Sequence, residues 1–589
     1  MISFRVVRSW TSSSSSITTT TVAEDISQSS FFLLLIMRFP LLAAALLATI
    51  HAAPLDDLVE TLPDYGRPPS TMFSGYLDAS PGCDVATNGP ICKIHYWMAM
   101  ATVEDPQSAP VVLWLNGGPG SSSILGFLQE NGPLLINATG GLMDNPWSWT
   151  KVANLLVIEA PIGVGYSYCS RQLEEGQPCV NTDKYTAKAS AAALVDFFGT
   201  KFPELADNPF FITGESYAGV YIPTLAQQLL NHAPEINLQG IAVGDPCTDN
   251  TAQQDSMDAL WYGHKNGLVD DAIFDQLWNQ CGYRVPTVWA KGGPHLYAAH
   301  MNARLEQETT TATTRRQLAQ PWFLRKQPYH DDPACTVAYR KFLLSTSHAL
   351  SQSWRDLYID DYSLFAPVTF QQDEDMANYM RRNDVRKALH VEEAPVTTWP
   401  YADMGFDYTK EYNACNDEAP ADAPSMIDIY REIVPQLQIT WIYNGDTDPC
   451  VSYEGTRTAV KRIGFTELDG GGYRPWFYRQ KKTPLAVLAE KAPLFGPFLL
   501  AQSVGPQMGG EVVNYEHGLS FVTFAGAGHM VPQFRPQSSL HFLRKLLSFQ
   551  PLSPPLPSNA TLAELSDEDF ESATDQWTEE AKSSPYVAE

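Results

Sequence analysis

Short apolar runs stopped by Gly, Asn or Pro recur along the chain at Val111–Asn116, Leu155–Glu159, Phe210–Gly214, Gly240–Gly244 and Ile439–Asn444. Several lack alternating polar positions, so neither face is wet, which predicts buried parallel strands. Between the second and third, Thr182–Phe202 opens on a Thr/Asp cap and sets Ala187, Ala191, Leu194 and Phe198 at helical spacing, as a crossover helix does. Strands alternating with helices predict an α/β fold with a mostly parallel central sheet. From Thr251 to Leu437 the strand pattern lapses into helical and irregular stretches, including Ala338–Tyr358 and the polar run Glu306–Gln320. This predicts a largely helical insertion, 251–437, between two parts of one core, 54–250 and 438–549. Val512–Phe524 reads as a hairpin turning at His517-Gly518. No internal repeat is present.

The two ends differ from the core. Residues 1–53 read as an N-terminal extension with a signal peptide that starts at Met37: Arg38 is basic, Leu41–Ile50 is apolar, and Ala52 or Ala53 suits cleavage. Phe31–Ile50 approaches one bilayer span, but Arg38 and Pro40 interrupt it, which disfavours an anchor. At the other end, 550–589 is Pro-rich and then acidic, with nine acidic residues against one lysine from Pro551 onward. Such composition predicts a disordered, solvated tail.

Composition narrows the function. The 589 residues carry 39 Lys plus Arg against 66 Asp plus Glu, a net charge of −27. That sign opposes binding to nucleic acid or an anionic membrane and fits an acidic compartment, where self-repulsion falls. The nine cysteines form no CxxC and have no His at ligand spacing, so zinc is disfavoured. Cys83 with Cys92 and Cys169 with Cys179 bracket short polar loops and suit disulfides, leaving one cysteine over in the whole set. Asn137-Ala-Thr139 and Asn559-Ala-Thr561 are glycosylation sequons, which matter only in the secretory pathway.

The chemistry concentrates after three strands. Gly214-Glu215-Ser216-Tyr217-Ala218-Gly219 follows an apolar strand and precedes the helix-like VYIPTLAQQLLN, a strand, elbow and helix that exposes a serine hydroxyl. A serine needs a base and a group to orient it, arriving in the order Ser, Asp, His. Gly445-Asp446-Thr447-Asp448 supplies two candidate acids, and Gly526-Ala-Gly-His529 supplies the histidine. Alone, each acid could be a turn former and the histidine structural. Their order past successive strands makes the set coherent. Gly117-Gly118-Pro119-Gly120 offers an oxyanion loop and lacks the Lys-Ser/Thr of a phosphate cradle.

WLNGGPGSSS at Trp114–Ser123, NLLVIEAPIGVGYSY at Asn154–Tyr168, GESYAGVYIP at Gly214–Pro223, YMRRNDVRKALHV at Tyr379–Val391 and GAGHMVP at Gly526–Pro532 together resemble the serine carboxypeptidases. The resemblance implies an α/β-hydrolase fold with a helical insertion over the active site and no cofactor. It implies Ser216 as nucleophile, His529 as general base and Asp448 as its orienting acid. Backbone N–H groups of Gly118 and Tyr217 would form the oxyanion hole. Asn116, Glu130 and Glu215 would hold the terminal carboxylate of a peptide or protein substrate. One departure stands out: where the family commonly has a bridged cysteine, this chain has Ser121. By that comparison Cys415 is the leftover thiol, with Cys281 paired to Cys335 and Cys247 to Cys450. An acyltransferase on the same scaffold and a non-catalytic binding or chaperone protein are the competing classes. Glu215, Asn116 and Glu130 favour the peptidase, and the full Ser216, Asp448 and His529 set disfavours a decayed site.

Overall fold

The computed structural model describes residues 54–583 except 138, 284–331, 347–370, 397, 401–406, 417–418, 421 and 488–503. The signal peptide, the Glu306–Gln320 run and the end of Ala338–Tyr358 lie outside the described residues.

The apolar runs are the centre of one large sheet. Its ten main strands are β1 (Met72–Asp78), β2 (Cys92–Ala99), β3 (Val111–Leu115), β4 (Asn154–Ile158), β5 (Phe210–Glu215), β6 (Leu238–Gly244), β7 (Ile439–Gly445), β8 (Arg474–Gln480), β9 (Gly505–Asn514) and β10 (Leu519–Phe524), and the two-residue strand Tyr168–Cys169 pairs with β2. They lie in the order β1-β2-β4-β3-β5-β6-β7-β10-β9-β8. The six from β4 to β10 in that order are parallel neighbours. Antiparallel pairs close both edges. Alternate side chains feed two separate cores, so Val111, Leu113 and Leu115 of β3 join one and Val112 and Trp114 the other. Both faces are covered, which is why β3, β4, β5, β7 and β10 are buried at every position.

Helices supply the covers. Thr182 caps the crossover helix Asp183–Asp196 by accepting from the Tyr185 N–H at 3.2 Å. This helix and Ala218–His232 pack on the first core through Ala193, Leu194, Val220, Leu225 and Leu229. On the opposite face, Pro536–Leu547 buries Leu540, Phe542, Leu543 and Leu546. The expected hairpin is β9 with β10, turning where His517 and Gly518 have positive φ.

The insertion is two things. Leu260, Val269, Leu277, Trp278, Tyr339 and Phe342 build a small core of their own, and Cys281–Cys335 ties it together. The second half returns to the main body: Met376, Tyr379, Val385, Leu389 and Trp399 enter one sheet core and Met426, Ile429, Tyr430 and Ile433 the other.

Two expectations are corrected. The C-terminal stretch holds helices Asn559–Glu564 and Asp567–Lys582. Its composition hid two caps: Ser558 accepts from the Thr561 N–H at 3.0 Å and Ser566 from the Asp569 N–H at 3.2 Å. Asp567, Glu568 and Asp569 then sit in a first turn, where the helix end favours negative charge. Buried Arg474 pins the connection by donating to Pro554 O at 2.6 Å and Ser553 O at 3.2 Å. Among the described residues no helix is long and apolar enough to cross a membrane.

The second correction concerns cysteines. Cys83–Cys92, Cys169–Cys179 and Cys281–Cys335 pair as expected. Cys247 pairs with Cys415, not with Cys450. The reason is local: segment 413–416 folds back on 247–250, where the Asn250 N–H donates to Asn413 O at 3.0 Å and Asn250 Nδ2 to Asn416 O at 2.7 Å. Cys450 is buried beside Asp448. Peptide mapping without reduction should recover Cys247 and Cys415 in one cross-linked fragment. Because this bridge closes a separation of 168 residues, Cys415→Ser should cost about 2–5 kcal/mol of stability, read as a lower urea midpoint.

Candidate functional site

The site forms at the C-terminal ends of adjacent parallel strands. β5 runs directly into Ser216, which adopts φ 65° and donates its N–H to Gly244 O at 2.9 Å. A non-glycine residue in this left-handed region is strained and persists only when its surroundings hold it. Here the neighbours leave no room for alternatives. A Cβ on Gly214 would lie 2.1 Å from Leu115 O, and one on Gly219 would lie 2.4 Å from Cys247 O. The two glycines of the elbow motif therefore let the turn sink between β3 and the loop after β6.

The glycine loop Gly117–Gly120 meets the elbow by the same device. A Cβ on Gly117 would fall 2.2 Å from the Tyr217 nitrogen and 2.9 Å from Glu215 O, so only glycine brings the loop against the Tyr217 and Glu215 backbone. Gly118 follows with φ 114°. The loop is pinned by Gly120 N–H to Tyr221 Oη at 3.2 Å and by Asn116 N–H to Ser123 Oγ at 3.2 Å. Ser122 donates to Glu159, which is buried and also accepts from Trp399 Nε1 at 2.9 Å, His95 Nδ1 at 2.8 Å and Tyr166 N–H at 2.7 Å.

The two acids after β7 separate by role. Asp448 Oδ2 accepts from His529 Nδ1 at 2.8 Å, and its carboxylate is held by the N–H groups of Cys450 at 2.7 Å and Val451 at 3.1 Å. Asp446 instead accepts from the Gly526 N–H at 2.5 Å. Burial raises its carboxyl to about 6. It thus fastens the histidine loop. Gly445 completes that fit, since a Cβ there would lie 2.2 Å from Gly528 O. From the insertion, Tyr262 donates to Thr447 O at 2.9 Å.

Beside the elbow lies a buried polar cluster. Asn116 Nδ2 donates to Glu215 Oε1 at 3.0 Å and to Glu130 Oε1 at 3.3 Å. Asn116 is oriented by Trp114 Nε1 at 2.9 Å and the Gly126 N–H at 3.0 Å, both on its Oδ1. Glu130 and Glu215 are 3% and 4% exposed, and each leaves its Oε2 buried with no donor. Burial raises both carboxyls, and for Glu215 the Glu130 charge adds to it. Two such groups in contact hold a proton between them.

Asn137 and Asn559, the sequon residues, stand away from this cluster; Asn559 is exposed and opens a helix. The residue that sequence reasoning passed over is Asp245. It follows β6 with φ 44°, is fully buried, and accepts from the Gly445 N–H at 2.8 Å and Asn444 Nδ2 at 3.1 Å. The signal was there: it is an acid just past a parallel strand, as Asp448 is.

The sheet with helices on both faces and its serine elbow define an α/β hydrolase. A family model described as serine carboxypeptidase matches residues 63–548. The chain belongs to that family. It is 31% identical to serine carboxypeptidase-like 35 of Arabidopsis thaliana, over 85% of this chain and 92% of that protein. It is 29% identical to the lysosomal protective protein of Mus musculus, over 87% and 98%. A crystal structure of Kex1Δp, described as a prohormone-processing carboxypeptidase from Saccharomyces cerevisiae, shares the fold at 19% identity with a TM-score of 0.56, over 84% and 95%.

The geometry distinguishes the two acids by experiment. Asp448→Asn should lower kcat on an activated ester by about 10³–10⁴. Asp446→Asn should leave kcat within about tenfold and act mainly on stability, as steady-state kinetics and thermal melts would show.

Proposed function

We propose that this protein is a serine-type carboxypeptidase that removes C-terminal residues from peptides and proteins through an acyl-enzyme, most effectively in mild acid. The observation that carries this reading is the buried Asn116, Glu130 and Glu215 cluster next to Ser216. A pair of carboxyls sharing a proton can donate a hydrogen bond to a substrate carboxylate, which stays ionised above about pH 4. Asn116 Nδ2 adds a second donor.

In the reaction, Ser216 Oγ attacks the last peptide carbonyl while His529 takes its proton through Nε2. The Nδ1–H remains on Asp448, which fixes the tautomer and favours the imidazolium that forms. The Gly118 and Tyr217 N–H groups meet the oxyanion. His529 then protonates the leaving amine, and water repeats the sequence to free the acyl group. The sequons at Asn137 and Asn559, the disulfides and the apolar leader support a route through the secretory pathway to a vacuole, lysosome or the exterior.

The pH dependence has a definite sign. Both glutamate carboxyls are raised, so the proton-bearing form persists through mild acid and is lost as pH climbs. Ionising the pair replaces a donor with repulsion. The Michaelis constant for a blocked dipeptide should therefore rise towards alkaline pH, roughly tenfold per unit above the apparent pKa of the pair. The amide of the same dipeptide should show no such rise. Glu215→Gln keeps an N–H donor that does not titrate and should flatten the curve. A flat wild-type curve sinks the reading of the carboxylate site. Ser216→Ala should abolish release of the C-terminal residue, followed by amino-acid analysis; unchanged release would remove Ser216 as nucleophile. Faster transfer to a small-molecule alcohol than to water would instead indicate an acyltransferase.

A further inference from the structure

Asp245 is an acid with no task in the reaction above, yet it sits against the reacting groups. One carboxylate oxygen of Asp245, one of Asp448 and a ring nitrogen of His529 all lie within 4.8 Å of one another. The Oδ1 atom of Asp245 is committed to the Gly445 N–H and to Asn444 Nδ2. Its Oδ2 is buried and receives no donor, although the side chain is in hydrogen-bonding contact with Asp448. Two carboxyls in contact and out of water cannot both ionise, so one carries a proton. Asp448 already collects the donors that a carboxylate wants, from His529, Cys450 and Val451. The proton therefore belongs on Asp245.

We propose that Asp245 is a protonated positioning residue that donates its O–H to the Asp448 carboxylate, holding it for His529 and keeping the charge behind the imidazole to a single negative. The inference rests on the assignment of Ser216, Asp448 and His529 as the reacting set. The acidic neighbours of Asp245 both push its carboxyl up, whereas a protonated His529 would pull it down. Asp448 and Glu215 bear on it from the loop after β7 and the end of β5, and His529 from the loop after β10. Tyr443 of β7 is buried beside it, and Tyr262 of the insertion faces Asp448 and Asp446. Burial is the largest cause that keeps the Asp245 carboxyl well above the ordinary aspartate range, followed by the charge of Asp448.

The consequence concerns the acid end of the working range. Acylation needs a neutral imidazole, and negative charge behind it favours the imidazolium. A donor on Asp448 disperses that charge, so removing the donor should favour the imidazolium more strongly. This suits an enzyme whose carboxylate site works best in mild acid. The two acid pairs then serve opposite ends of one pH window.

The test uses an ester substrate with no free carboxylate, so that Glu130 and Glu215 do not contribute, and follows kcat/KM against pH. In Asp245→Ala the acid limb should move up by about one pH unit. In Asp245→Asn, whose Nδ2–H still donates to Asp448 and whose Oδ1 still accepts from Gly445, the limb should return to within about a third of that shift. An unmoved acid limb in Asp245→Ala overturns the proposal, as does an Asp245→Asn limb displaced as far as that of Asp245→Ala. If Asp245→Ala does not fold by circular dichroism, infrared difference spectra of Asp245→Asn decide. Loss of a protonated-carboxyl band present in the wild type at neutral pH supports the assignment, and an unchanged band overturns it. Wild-type protein that fails to turn over the ester would point to the reacting set itself.

Discussion

The left-handed turn at Ser216 is the constraint on which the rest of the site depends. It puts a hydroxyl above the sheet at the cost of about 1–3 kcal/mol of backbone strain, and it is held from three sides at once. Leu115 O closes on Gly214, the Gly244 carbonyl accepts the Ser216 N–H, and the Cys247 backbone closes on Gly219. Leu115 and Gly244 end parallel strands, and Cys247 lies in the loop that follows the second of them. The elbow is therefore a product of sheet order, and the disulfide from Cys247 to Cys415 secures the loop that forms one of its walls.

Glycines and acids divide the work around that turn. Gly117, Gly214, Gly219 and Gly445 remove side chains where backbones must nearly touch, which lets the glycine loop meet the elbow and the histidine loop reach the acid loop. The acids then fill the small polar volumes left over. Burying an isolated carboxylate costs several kcal/mol, and the structure meets that cost in three ways. Glu159 and Asp448 are surrounded by donors. Asp446 takes a backbone N–H and lies near Arg535. Glu130, Glu215 and Asp245 each keep one buried oxygen without a donor, and burial raises their carboxyls, which favours the protonated form.

Much of this was legible in the chain. Uniformly apolar runs gave the parallel strands to within two residues, because a strand buried on both faces has no alternation to misread. The elbow, the histidine loop and the oxyanion loop could be found because each couples a motif to the strand before it. Other features resisted for identifiable reasons. Composition around 559–582 is acidic, and the serine caps that turn it into helices are single residues. The partner of Cys247 depends on how 413–416 folds back, which no local pattern encodes. Asp245 was hidden because attention to acids stopped at the strand expected to carry the orienting one. Its importance comes from β6 lying between β5 and β7, a matter of sheet order that spacing does not reveal.

The net charge of −27 first suggested an acidic setting, but most of that charge is solvated and screened beyond about 10 Å. The carboxyls that bear on pH are few and buried, and they are set apart by what surrounds them. Glu130 and Glu215 share Asn116 beside the serine elbow, so under the proposed function their proton is a substrate contact. Asp245 faces Asp448, so under the proposal above its proton supports the base. The same scarcity of donors thus has two outcomes, decided by what each acid faces.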